Sequence, residues 1–211
     1  PAAALDLVAE PAPRPPVIDG RLDDAAWQRS VVFEDFSRPG SDELVPKAVV
    51  GRITYDAGHL YVGIVCSEPK PQRLRLRHHT DSPDVWQDDS VELFLRTARP
   101  GGSERMTIDQ FIVNAAGARL SHRRTAAGNQ PIPLDWPAVA VIGDHQWTVE
   151  FAIPLRHLDL QQSKAGRLLE VKFGREDYTG ADVALSVWPR GAEYAGLDGY
   201  GRLYLGETNL L

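Results

Sequence analysis

Leu60-Tyr61-Val62-Gly63-Ile64-Val65-Cys66 alternates so that Leu60, Val62, Ile64 and Cys66 share one face of an extended chain. That is the pattern of a strand with one buried side. Just before it, Ala48 to Tyr55 reads as a second strand, and Asp56-Ala57-Gly58 between the two carries hairpin turn chemistry. The period of two recurs along the chain, whereas helical spacing is not sustained over any window of about 12 residues. Further strands are predicted at Val31 to Phe36, Leu74 to His78, Ser90 to Arg96, Thr107 to Asn114, Ala118 to His122, Ala138 to Ile142, Gln146 to Ile153, Leu168 to Glu176, Val183 to Trp188 and Gly201 to Leu205. Short helical turns are expected at Asp23 to Trp27 and Pro154 to Leu158, and exposed loops at Arg99 to Glu104 and Thr125 to Trp136. So many short strands, separated by Gly, Pro, Asp and Asn clusters, predict an all-β chain of two antiparallel sheets packed as a β-sandwich.

The 211 residues suffice for one sizeable core. Residues 1–15, rich in Ala and Pro, read as a lead-in or linker of the kind left by signal cleavage or joining two domains, and residues 16–211 as the domain proper. Lys and Arg number 23 against 29 Asp and Glu, a net charge of -6 with no basic stripe, which argues against a nucleic-acid partner. No apolar run approaches the roughly 20 residues of a transmembrane helix. Cys66 is the sole cysteine and alternates into the apolar face, where a thiol is inert.

Several short signatures occur in a fixed order. They are Val17-Ile18-Asp19-Gly20-Arg21-Leu22-Asp23-Asp24-Ala25-Ala26-Trp27, Ile53-Thr54-Tyr55-Asp56, Trp86-Gln87-Asp88-Asp89-Ser90-Val91-Glu92-Leu93-Phe94-Leu95 and Gln110-Phe111-Ile112-Val113-Asn114 with Gly117. Trp147-Thr148-Val149-Glu150-Phe151-Ala152-Ile153-Pro154, Phe173-Gly174-Arg175-Glu176-Asp177, Ser186-Val187-Trp188 and Tyr200-Gly201-Arg202-Leu203 follow. From residue 16 to about residue 206 this succession resembles the family 9 carbohydrate-binding modules and their DOMON-like relatives. The resemblance implies an immunoglobulin-like or jelly-roll sandwich that binds a polysaccharide or its oligosaccharide ends without catalysis. It also implies a secreted, periplasmic or cell-surface location, a tethered glycoside hydrolase as partner, no required cofactor and, frequently, structural calcium.

Sugar rings offer apolar C–H faces ringed by hydroxyls, so a site needs flat aromatic walls and hydrogen-bonding groups. In the sugar-binding relatives a tryptophan at the position of Trp86 forms one wall of an aromatic clamp, and a glutamate at that of Glu92 bonds hydroxyls. Alternation puts Val91, Leu93 and Leu95 on the core face and Glu92 opposite. The second wall matches Tyr194, in the Gly191 to Gly199 stretch, with Trp188 as the other candidate. Gln110 and Asn114 are expected on the binding face, where Ile112 replaces an arginine of a relative. Arg175, with Glu176 and Asp177, reads either as further polar contacts or as a surface salt-bridge cluster. Trp27 and Trp147 are assigned to the core, and Trp136 to an exposed position. Asp19, Asp23, Asp24, Asp84, Asp88 and Asp89 are the oxygen donors available to calcium.

No nucleophile elbow, phosphate loop or zinc-helix pattern supports an enzyme, although acidic residues leave a hydrolase as an alternative. DOMON-like relatives also include haem-binding electron-transfer proteins, for which Met106, the only methionine, is the candidate ligand.

Overall fold

Alternation becomes architecture once the strands pair. The computed structural model describes residues 6–97, 107–125, 127–158, 161–163 and 166–206. Among these the strands are β1 (Asp6–Ala9), β2 (Val31–Phe33), β3 (Val49–Tyr55), β4 (His59–Ser67), β5 (Ser90–Thr97), β6 (Thr107–Asn114) and β7 (Arg119–Thr125). They continue as β8 (Gly128–Pro131), β9 (Ala138–Ile142), β10 (Gln146–Pro154), β11 (Gln161–Ser163), β12 (Gly166–Asp177), β13 (Ala184–Trp188) and β14 (Gly201–Leu205). One sheet runs β1-β14-β12-β5-β6-β7-β8, with β11 and β13 also on β12, and the other runs β2-β3-β4-β10-β9. The pairs are antiparallel except β1 with β14. No helix among the described residues is long and apolar enough to cross a membrane.

Inner faces make the core. Val91, Leu93 and Leu95 of β5 pair with Val113, Phe111 and Asp109 of β6 and with Arg175, Phe173 and Val171 of β12. Opposite them stand Ile53, Leu60, Val62, Ile64, Cys66, Trp147, Val149 and Phe151, all buried, each such large side chain being worth about 1.5–3 kcal/mol. Burial pushes the Cys66 thiol up to about 12, so it stays protonated. Within the Ala/Pro-rich lead-in, Asp6–Ala9 pair with Arg202–Leu205, and Leu7 and Ala9 join the core.

The hydrophilic ends of the inner faces are plugged by ion clusters. Asp109 takes Arg123 at 2.6 and 2.7 Å and His157 at 3.1 Å. At the far end Arg175 donates to the Ser67 carbonyl at 3.0 Å and lies 3.4 Å from both Glu68 and Asp177, which Lys47 bridges at 2.6 and 2.8 Å. Burial raises the carboxyls of Asp88, Asp109 and Asp177, but their hydrogen bonds outweigh it and hold all three below the usual range. A depressed folded pKa gives stability that is complete above the unfolded value near 4 and fades as pH falls through the folded one. Acid titration followed by circular dichroism should therefore show unfolding beginning below about pH 4; stability unchanged down to about pH 2 would contradict it.

Trp27, on the outer face of the five-stranded sheet, is held by a single carboxylate. Glu150 Oε1 accepts from the Trp27 indole at 2.7 Å, and Oε2 from the amides of Asp19, Gly20 and Arg21 at 2.9, 2.7 and 3.2 Å. Gly63 beneath leaves room, since a Cβ there would stand 2.4 Å from Leu22.

Some elements differ from expectation. Leu74 to His78 is not a strand, because its amides bond side chains: Arg75 to Asp89 at 2.7 Å, Arg77 and His78 to Asp88 at 3.0 and 2.9 Å. The expected loop from Thr125 to Trp136 contains β8, whose pairing with β7 makes a hairpin. Trp136 is buried at 3 % exposure, because its ring meets Phe111 and Phe151 edge-on. The helical turns hold as Ala25–Gln28 (α1) and a 3-10 turn at Leu155–His157. Arg99 to Glu104 and Met106 lie outside the described residues.

Candidate functional site

The outer face of the nine-stranded sheet mixes polar with apolar side chains. Register sets two neighbouring rows across it. One runs Gly174, Glu92, Ile112 and Leu120, and the other Lys172, Phe94, Gln110, His122 and Pro131. Above these rows opens a cleft of about 600 Å³, lined among others by Trp86, Glu92, Gln110, His122, Glu176 and Tyr194.

Trp86 sits in a 3-10 turn, Val85–Gln87. Val85 is the peg of that turn: it is buried against Ile112, Ala118 and Leu120. Ile112, where a relative has arginine, thus anchors the turn rather than donating a hydrogen bond. Asp88 follows and ties the turn down through Arg77, His78 and the Asn114 amide at 2.9 Å. With its neighbours fixed, the indole itself stays 43 % exposed at the cleft edge.

Tyr194 comes from the loop before β14. Its ring lies against Gly174, where an added Cβ would be 2.6 Å from Cζ, and meets Phe94 edge-on at 6.0 Å. The loop is gathered by Lys172, whose Nζ donates to the carbonyls of Glu193, Gly196 and Asp198 at 2.9, 2.9 and 2.7 Å and stands 4.4 Å over the Tyr200 ring. Burial pulls this ammonium down to about 8, leaving it charged at neutral pH. Gly174→Ala should push Tyr194 off the strand and weaken ligand binding about tenfold, or about 1.4 kcal/mol, with the fold retained; titration calorimetry reads it, and unchanged affinity would remove Tyr194 from the site.

Glu92 accepts from Gln110 Nε2 at 2.7 Å, and Glu176 from Ser90 Oγ at 3.2 Å. Burial raises both carboxyls, and the charge of Glu92 raises Glu176 further. His122 is lowered by burial and by Arg124, so its imidazole is neutral at neutral pH. Tyr194 Oη and His122 Nε2 are buried and without partners among the described residues. Buried polar atoms without partners are costly.

Trp86, Glu92, Gln110 and Tyr194 therefore share the cleft; Trp188, Asn114 and Arg175 do not. Trp188 is buried because it turns inward onto Phe33 at 4.9 Å. Asn114 is buried because its amide braces the His78 carbonyl and Asp88, and its oxygen takes the amides of Ala116 and Ala118. Arg175 is in phase with Leu169, Val171 and Phe173 and so points between the sheets, making it neither a cleft contact nor part of a surface cluster. That same phase puts Glu176 on the cleft face, a signal present in the sequence. His122 and Arg124 were missed because only pairing of β7 with β6 brings them beside Gln110.

Several of the acidic residues brace the backbone. Asp24 and Asp19 accept the Val17 and Arg21 amides, and Asp88 and Asp89 are taken up by amides likewise. Among the described residues no three His, Cys, Asp or Glu side chains converge on one point.

No protein-family model matches the chain, and no curated protein matches it significantly in sequence. Solved structures do. A candidate carbohydrate-binding protein from Bacteroides uniformis matches with a TM-score of 0.72 at 15% identity, over 96% of this chain and 100% of that one. A family 9 carbohydrate-binding module from Caldicellulosiruptor kristjanssonii in complex with cellotriose matches at 0.59 and 18%, over 98% and 97% of the two chains. The glucose complex of a family 9 module from the same organism matches at 0.61 and 17%, over 98% of each. Over nearly its whole length, then, this chain has the fold of the family 9 carbohydrate-binding modules.

Proposed function

We propose that the cleft on the outer face of the nine-stranded sheet binds a saccharide without catalysis, in a module acting outside the cell beside a tethered glycoside hydrolase. The observation that carries this is an exposed indole facing a floor of buried, unpartnered polar atoms, Tyr194 Oη and His122 Nε2. A flat apolar wall above unsatisfied hydrogen-bonding groups suits a ring with hydroxyls at its edge. The similar modules held cellotriose and glucose, which supports a glycan ligand for this one. A shallow, wet cleft should bind in the micromolar to millimolar range, about 4–8 kcal/mol.

Affinity electrophoresis on soluble polysaccharides, followed by calorimetry with oligosaccharides, tests the reading. Retardation by at least one glycan, relieved by competing oligosaccharide, supports it; no retardation across neutral, acidic and amino glycans overturns it. The two raised carboxyls, Glu92 and Glu176, favour a second reading, hydrolysis by an acid and base pair. Release of reducing sugar that is lost in Glu92→Gln while binding persists would establish that reading instead.

A further inference from the structure

The floor of the cleft has more acceptors than donors. Glu92 and Glu176 lie two positions apart in register on the same face, Glu92 opposite Gly174 and Glu176 opposite Ser90, and Tyr194 feels the charge of both. One oxygen of each carboxyl accepts from a neutral partner, Gln110 or Ser90, and the other oxygen has no hydrogen bond among the described residues. Neither makes a salt bridge there. The cations around them are otherwise engaged. Both terminal nitrogens of Arg124 donate to the Ala195 carbonyl at 3.3 Å, Lys172 holds three carbonyls, and Arg75 lies 4.1 Å over the Tyr178 ring. Burial and Arg124 disfavour the charged form of His122, while Asp89, bonded to the Arg75 and Tyr178 amides, adds a further acid behind Glu176.

Resting on the saccharide reading above, we infer that this floor takes the ammonium group of an amino sugar, so that the cleft selects 2-amino-2-deoxyhexose units over neutral ones. An ammonium brings three donors and a positive charge, which match two under-bonded carboxylate oxygens and the free Tyr194 oxygen. Charge-assisted bonds of this kind are about twice as strong as neutral ones. Trp86 and Tyr194 supply ring faces for the remainder of the sugar, and their negative faces favour a cation beside them. Burial raises both carboxyls although Arg124 draws down Glu92 and Arg75 draws down Glu176, and neither guanidinium forms an ion pair with them among the described residues; an ammonium bound between the two carboxyls supplies that contact.

Calorimetry at pH 7, where Glu92 with its pKa raised to about 7 is partly ionised, decides the matter in moderate salt with three trisaccharides of one linkage geometry: glucosamine trimer, its N-acetylated form, and cellotriose. The amine form should bind at least tenfold more tightly than either, and Glu176→Gln should bring it to within about threefold of cellotriose. Cellotriose binding as tightly as the amine form overturns the inference and leaves the saccharide reading in place. Binding of none of the three overturns the inference, and the saccharide reading falls with it only if affinity electrophoresis also shows no glycan retarding the protein. Because the chain carries a net charge of -6, an amine preference that survives in Trp86→Ala would be attraction outside the cleft, and would also overturn the inference. Should Glu176→Gln fail to fold, the ranking by the unmodified protein is sufficient.

Discussion

Trp86→Ala is expected to weaken saccharide binding by about thirty-fold, or about 2 kcal/mol, while thermal unfolding stays within about two degrees of the parent. The two effects separate because of how the turn is built. Val85, buried against Ile112, Ala118 and Leu120, and Asp88, bonded to the Arg77 and His78 amides, hold the backbone. The indole adds little to that framework, being 43 % exposed. What it offers is apolar area next to polar groups that lack partners, which is where alanine substitutions in binding sites cost most. Calorimetry and a melting curve on the same sample check both halves, and Trp86→Phe should retain part of the affinity. Full affinity in the alanine variant would mean the ligand sits elsewhere.

The largest loss of stability is expected on the opposite sheet. Glu150→Ala removes one carboxylate that serves three backbone amides and the Trp27 indole. Four donors then stand unpaired in a partly dry setting, at a cost of about 3–4 kcal/mol. For a chain of this size that is a fall of about ten degrees in melting temperature. Glu150→Gln keeps an acceptor oxygen and should lose about half as much. Sugar affinity, measured well below the transition, should be unchanged in both, since Glu150 is on β10 and the cleft is on the other sheet. A melting temperature within two degrees or so of the parent would show that Val17 to Trp27 docks through its apolar contacts alone.

Trp27 and Glu150 also show how much of the chain could be read directly. Both stand in signatures recognisable as sequence, yet their bond spans 123 positions, so nothing local reveals that one exists to hold the other. Of the four cleft residues, Trp86, Glu92 and Gln110 were nameable because they stand in the signatures that carry the resemblance, and Tyr194 because it lies shortly before Tyr200-Gly201. Trp188 has the same kind of credential and proves to be core, since aromatic character does not say which way a strand-end ring turns. Asn114 lies in phase with Gln110 and Ile112 on β6, but at the strand end its amide meets backbone groups of the adjoining turn before it can reach a ligand.

Alternation alone decided that the chain is a sandwich and which side chains of each strand share a face, because successive side chains of an extended backbone must point oppositely. Read through to the end of β12, that same rule would have sent Arg175 inward and Glu176 to the cleft. The neighbours of each face residue were set only by strand pairing. Hydrogen bonds between strands distant in sequence put Glu176 next to Glu92 and His122 next to Gln110, and three carbonyls closing on Lys172 brought Tyr194 over Gly174. A site made from one residue per strand has no period along the chain, and so the tertiary register had to assemble it.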